Sequence, residues 1–168
     1  QRRKRYVSLV DSLEVQAREA VIGGKTSFEK GELLLKWLHK NQMSQGYHSA
    51  QTDVSVILDD KTFNCVSSAT LYNILGIRLG LDLRAIEVPD HAFSIMYDGT
   101  EHADVETTNP SGFNPSRDPA ILKEINETTG FSYIPYSHQD KRREIRQTGL
   151  VAITYYNHGV MLSKDKKY

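Results

Sequence analysis

A chain of 168 residues holds one globular domain with a core of its own and hardly two. Hydrophobic residues at 39% and charged residues at 25% exclude a disordered composition, and an equal balance of 21 basic and 21 acidic residues removes any general electrostatic reason to bind nucleic acid or anionic membrane. The single cysteine excludes an internal disulfide and a multi-cysteine zinc site, and no apolar run approaches the roughly 20 residues of a membrane helix.

The basic start, Gln1 to Arg5, reads as a solvated tail. A chain that opens on Gln rather than Met is expected to lack an upstream piece, a signal peptide among the options, so the compartment stays open between the cytoplasm and an exported location. Tyr6 to Ala20 has Val7, Val10, Leu13 and Ala17 at helical spacing, and Gly23-Gly24 ends that helix. Thr26 with Glu29 has the spacing of a capping box, ahead of a second helix with Leu33, Leu34, Trp37 and Leu38 as its apolar stripe. From Asn41 to Lys61 the chain is polar, which predicts a long loop with a short strand or turn at Val54 to Leu58. His39 and His48 read as solvent-facing.

Asn64 to Leu79 is expected to form the third helix, closed by Gly80. Three strands follow, over Leu83 to Val88, His91 to Tyr97 and Glu101 to Thr107, with Asp98-Gly99 as a two-residue hairpin turn. Asn109 to Pro119 is loop, Asp118-Pro119 is an N-cap with proline at the first helical position, and a short helix runs to about Ile125. After an irregular aromatic stretch (Phe131, Tyr133, Tyr136), helix is predicted from about Gln139 onward. There Lys141, Arg142 and Arg143 alternate with Asp140 and Glu144 as an exposed face with intrahelical ion pairs. Helices before and after a strand cluster argue an α+β fold.

Cys65 falls at the start of the third helix, where unpaired backbone N–H groups and the helix dipole favour a thiolate and can receive an oxyanion. Taken alone, a lone cysteine there is as well explained as a small buried residue. His91 opens a strand after the Pro89-Asp90 turn. With Asp98-Gly99 as a two-residue turn, Tyr97 pairs with Thr100 and the count back sets His91 opposite Glu106, about 4.5–5.5 Å apart at Cβ. Glu106 is therefore the first choice to orient the imidazole, and Asp104, on the same face, is the reserve. Such a set performs acyl transfer: His91 takes the Cys65 proton, the thiolate attacks a carbonyl carbon, and the carboxylate fixes the tautomer of the base.

On these residues the stretch Phe63 to Pro110 resembles the transglutaminase-like family of the papain superfamily. The matching pieces are Asn64-Cys65-Val66-Ser67 opening a helix, Arg78-Leu79-Gly80-Leu81 closing it, His91-Ala92-Phe93 opening a strand, and Val105-Glu106-Thr107-Thr108 ending the next. The resemblance implies a papain-like core, a nucleophile-bearing helix packed on a small antiparallel sheet, and a peptide or protein substrate. The family commonly has Asp where this chain has Glu106. It also supplies a second oxyanion donor upstream of the nucleophile, for which Asn64 is the one candidate. Nothing marks a dedicated amine site, so hydrolysis is expected over crosslinking, with a catalytically inactive interaction module as the alternative.

Near the end, Tyr155-Tyr156-Asn157-His158-Gly159 with Leu162 and Tyr168 is similar to the first helix and turn of a tetratricopeptide repeat. That divides the chain into a domain over 1–148 and a C-terminal helix over 149–168, with protein partners through a downstream repeat. No cofactor is expected, because a phosphate-binding glycine loop is missing and Cys65, His91, His102 and Asp104 lack the close ligand pairs of a zinc site.

Overall fold

The computed structural model describes residues 1–165 and is α+β, with six α-helices and one four-stranded antiparallel sheet among those residues. Tyr168 of the repeat-like end lies outside them.

Helix α1 covers Arg2–Ala20, so the basic start is helical rather than a tail, and Arg5 pairs with Asp59 at 2.6 Å. Helix α2, Ser27–Asn41, begins with the expected capping box: the Glu29 amide donates to Thr26 Oγ1 at 3.1 Å, and Glu29 Oε2 accepts from the Thr26 amide at 3.3 Å. Its buried residues are Gly31, Leu34, Leu35 and Leu38, while Leu33 and Trp37 are half-buried.

Val54 to Leu58 is neither strand nor turn. It lies in a third helix, α3, Val54–Asp60, closed by Lys61 in the left-handed region (φ 59°). A seven-residue helix with one buried side chain, Ile57, carries too little periodicity to be read from sequence. Helix α4, Cys65–Arg78, follows with ten buried residues, and Gly80 turns the chain away at φ +87°.

The sheet has the order β3-β2-β1-β4, from β1 (Asp82–Val88), β2 (His91–Asp98), β3 (Glu101–Val105) and β4 (Arg143–Ile145). Strands β1 and β2 join through Pro89-Asp90, with Val88 opposite His91. The β2–β3 turn is Gly99-Thr100, not Asp98-Gly99: Asp98 pairs with Glu101, and Gly99 (φ +62°) takes the first turn position, where a hairpin with glycine leading needs positive φ. The register is thus two residues from the expected one, a shift that keeps every side chain on its face.

Helix α5, Pro119–Thr129, is capped by Asp118 and runs four residues past the expected end, to Gly130 at φ +77°. The segment from Gln139 is not continuous helix. A short 3₁₀ turn (Gln139–Lys141) leads into β4, and helix α6 begins only at Gln147 and runs to Asp165. The expected intrahelical ion pairs are absent from this stretch: Arg142 is buried against Asp104, and Arg143 reaches Glu87 of the neighbouring strand at 2.6 Å.

The main core lies between α1, α2, α4 and one face of the sheet, around Leu34, Leu38, Leu71, Tyr72, Leu75, Leu83 and Met96. A second cluster joins Cys65, Val66 and Ala69 of α4 to Ala85, Ala92 and Leu150, so α6 packs on the helix that carries the cysteine. On the other face Ile86, Val88, Phe93 and Ile95 are covered by Tyr133 and Ile134. No helix among the described residues is long and apolar enough to cross a membrane.

Candidate active site

Cys65 is the first residue of α4, and its capping is unusually complete. Asn64 Oδ1 accepts from the amides of Val66 and Ser67, each at 3.0 Å, and Ser67 Oγ accepts from the Asn64 amide at 3.0 Å while donating to Gln51 O at 2.7 Å. Asn64 Nδ2 donates to Ser49 O at 3.0 Å. Asn64 thus commits its Oδ1 and one of its two side-chain N–H groups to the cap and the preceding loop. Of the N–H groups that open the helix, those of Val66 and Ser67 are taken by the cap; the Cys65 N–H has no acceptor among the described residues.

His91 and Glu106 meet at 2.6 Å, Nε2 to Oε2, with side-chain exposures of 1% and 0%. They do so without being opposite each other. Glu106 stands one residue past β3, where its amide donates to Gly112 O at 2.8 Å and the chain folds back. The second carboxylate oxygen accepts from the Thr108 amide at 3.2 Å and from Thr108 Oγ1 at 2.7 Å. A carboxylate only accepts, so Nε2 carries a proton, and Nδ1 is the ring nitrogen not engaged by Glu106. Nδ1 is buried without a partner of regular hydrogen-bond geometry. Burial pulls the His91 pKa down, but the Glu106 charge, the nearby Cys65 and the hydrogen bond to Glu106 outweigh it and push it up to about 10. Cys65 is thus near enough to bear on the titration of this ring, and Nδ1 is the nitrogen that Glu106 leaves unengaged.

Tyr47 is the residue that the sequence did not reveal. It pairs with Phe63 as an isolated parallel bridge, fixed by His48 N donating to Phe63 O at 2.7 Å, which brings it into the neighbourhood of Cys65, two residues past Phe63. Burial, the charges of Cys65 and Glu106 and a hydrogen bond to Cys65 push the Tyr47 pKa up, which keeps the phenol protonated and able to donate. An aromatic in a polar stretch upstream of the cysteine was the available signal, but nothing local fixes its direction.

Asp104 is held elsewhere. It accepts two bonds from Arg142, at 2.7 and 2.6 Å, and one from Tyr133, and none from His91. His102 stacks on Tyr136. His39 is half-buried rather than solvent-facing: its Nε2 donates to Thr107 O at 3.0 Å, and burial takes its pKa down to about 4. Thr107 Oγ1 in turn shares a hydrogen bond of 2.8 Å with Ser68 Oγ, tying the segment after Glu106 to α4.

Cys65 is 7% exposed. Two clefts lie away from it: one of about 740 Å³ between Phe28, Glu32 and His102, and one of about 590 Å³ between Tyr6, Leu58 and Tyr155; neither is lined by Cys65, His91 or Glu106. Among the described residues no three His, Cys, Asp or Glu side chains converge as a metal site would require. Compared with family models, curated proteins and solved structures, the chain matches none.

Proposed function

We propose that this chain is a cysteine acyl-transfer enzyme with a transglutaminase-like, papain-type core, acting on amide bonds of peptides or proteins and releasing the acid by hydrolysis. The observation that carries the reading is the buried 2.6 Å bond between His91 and Glu106, in a ring whose titration also responds to Cys65. A buried carboxylate on one ring nitrogen, with the other nitrogen left for a nearby thiol, is the arrangement a nucleophile and its base require.

In this reading His91, whose raised pKa keeps it protonated, holds the proton given up by the thiol, and the thiolate beside the imidazolium attacks the carbonyl carbon. The amide N–H of Cys65 and the Tyr47 hydroxyl receive the oxyanion. The C–N bond breaks as the imidazolium gives its proton to the amine, leaving a thioester on Cys65. Water then attacks with His91 as base, and the acid leaves as the thiol is restored. The raised His91 pKa keeps the ring an imidazolium in the resting site, ready to protonate the leaving amine. Exposed Tyr155, Tyr156 and Leu162 on α6 fit, on the same footing, a repeat helix that docks a further helix.

A second reading, a catalytically silent module that binds a protein partner, is favoured by the 7% exposure of Cys65 and by clefts that avoid it. Alkylation of Cys65 by iodoacetamide across pH, in wild type and in His91→Ala, separates the two. Rapid alkylation that collapses without His91 supports the enzyme; an ordinary thiol, indifferent to His91, favours the silent module and defeats the proposal.

A further inference from the structure

The most buried charge cluster outside the triad is Asp104 with Arg142, whose side chains are 4% and 1% exposed. It sits under residues 131–138, which form no helix or strand. Arg142 Nη1 also donates to Ile134 O at 2.9 Å, and its guanidinium lies over the rings of Phe93 and Tyr136 at 5.1 and 5.3 Å. Tyr133 donates to Asp104 and packs on Phe93 at 5.6 Å between ring centroids. A segment without backbone pairing to the sheet is thus fixed by side chains that converge on one carboxylate.

What the segment covers is the base. Phe131 stacks on the His91 ring, 5.5 Å between centroids at 29°, and is itself half-buried while His91 beneath it is closed to solvent. Asp104 lies opposite Ile95, on the same face of the sheet as Phe93 and His91, so anchor and base share one surface.

We propose that Asp104, Arg142 and Tyr133 are positioning residues that anchor Phe131 as a water shield over the His91–Glu106 pair. The inference rests on the reading of His91 as the base. Excluding water from that pair keeps its hydrogen bond strong and its geometry single, since a low local dielectric strengthens a satisfied polar contact. Asp104 then bears on the chemistry through Phe131 and not through contact with the imidazole.

The test is the exchange of the His91 Nε2 proton with water, followed by proton NMR in the full chain. Wild type is expected to show a slowly exchanging downfield imidazole proton. Phe131→Ala should speed its exchange about tenfold or more, Phe131→Leu should restore most of the protection, and Tyr133→Phe should fall between, each with an unchanged far-UV spectrum. Exchange in Phe131→Ala within a factor of about two of wild type overturns the shield, and no effect of Tyr133→Phe overturns the anchor. Asp104→Asn is measured beside them, and Tyr133→Phe decides the matter where that variant does not fold. Alkylation of Cys65 that ignores His91 would defeat the acyl-transfer reading, while proton exchange would still decide the shield.

Discussion

Glu106 accepts the Nε2 proton of His91 across 2.6 Å, although the two residues are not partners in the sheet: His91 lies opposite Val88, and Glu106 follows the last residue of β3. Their contact depends on the fold-back that ties the Glu106 amide to Gly112 and on Thr108, which holds the other carboxylate oxygen. Each of these supports can be removed separately.

Glu106→Gln keeps the shape and removes the charge that outweighs burial at His91. Titration of the imidazole by NMR should then move down from about 10 toward or below its ordinary 6.5. Turnover of an amide substrate should fall by about 10²–10⁴-fold, the usual contribution of a working acid–base pair. A titration unchanged from wild type would show that the carboxylate does not hold the proton on this ring.

The same pair makes stability depend on pH. Because the folded His91 pKa is raised, its contribution is fully present below the unfolded value of 6.5 and is lost as pH rises through about 10. The urea midpoint of wild type relative to His91→Gln should therefore show its largest advantage at or below pH 6.5, shrinking toward pH 10. An advantage that grows with pH would reverse the sign and disprove the linkage.

Much of this site is legible in the sequence because its parts are local. The helical run from Asn64 to Leu79 places Cys65 at a helix start, and period-two alternation puts His91, Asp104 and Glu106 on one face whether the hairpin turns at Asp98-Gly99 or, as it does, at Gly99-Thr100. The face survives a two-residue error in register; the identity of the partner does not follow from it. Glu106 reaches His91 diagonally past the strand end, which a count of ladder pairs cannot show. Residues fixed by distant contacts were out of reach. Tyr47 owes its place to a single bridge with Phe63, and Arg142 owes its burial to a carboxylate 38 positions away. Strand β4 has three residues, two of them charged, which left its sequence looking like a polar helix face.

His39 titrates in the opposite sense. Burial lowers its pKa from 6.5 to about 4, so the folded state resists a proton that the unfolded chain accepts. Stability should fall as pH drops from 6.5 toward 4, and His39→Gln should flatten that part of the urea-midpoint profile. A variant that loses stability as steeply as wild type over this range would place the acid sensitivity elsewhere.

Asp104 offers a contrast with Glu106. Removing one member of a buried ion pair leaves the other uncompensated, at about 3–5 kcal/mol. Asp104→Ala should therefore lower the melting temperature far more than substitutions of exposed carboxylates such as Glu32, and Asp104→Leu with Arg142→Met should recover most of the loss. A double variant no more stable than Asp104→Ala would mean that Arg142 is not the source of the penalty.

Gly112 is the most direct handle on the carboxylate that does not touch it chemically. A Cβ there would lie 2.1 Å from Glu106 O and 2.9 Å from Glu106 C, both backbone atoms with no rotamer to yield. Gly112→Ala must therefore move the backbone of Glu106, and a displacement of even half an ångström breaks the tolerance that a catalytic contact requires. A clash with backbone costs at least the roughly 1–3 kcal/mol of ordinary overpacking, so retention of the fold is checked by the far-UV spectrum alongside. In the folded variant Cys65 alkylation should slow and the His91 Nε2 proton should lose its protection, with a lowered melting temperature. Wild-type alkylation and proton protection in Gly112→Ala would mean that the fold-back does not position Glu106, and that Thr108 alone holds the carboxylate in place.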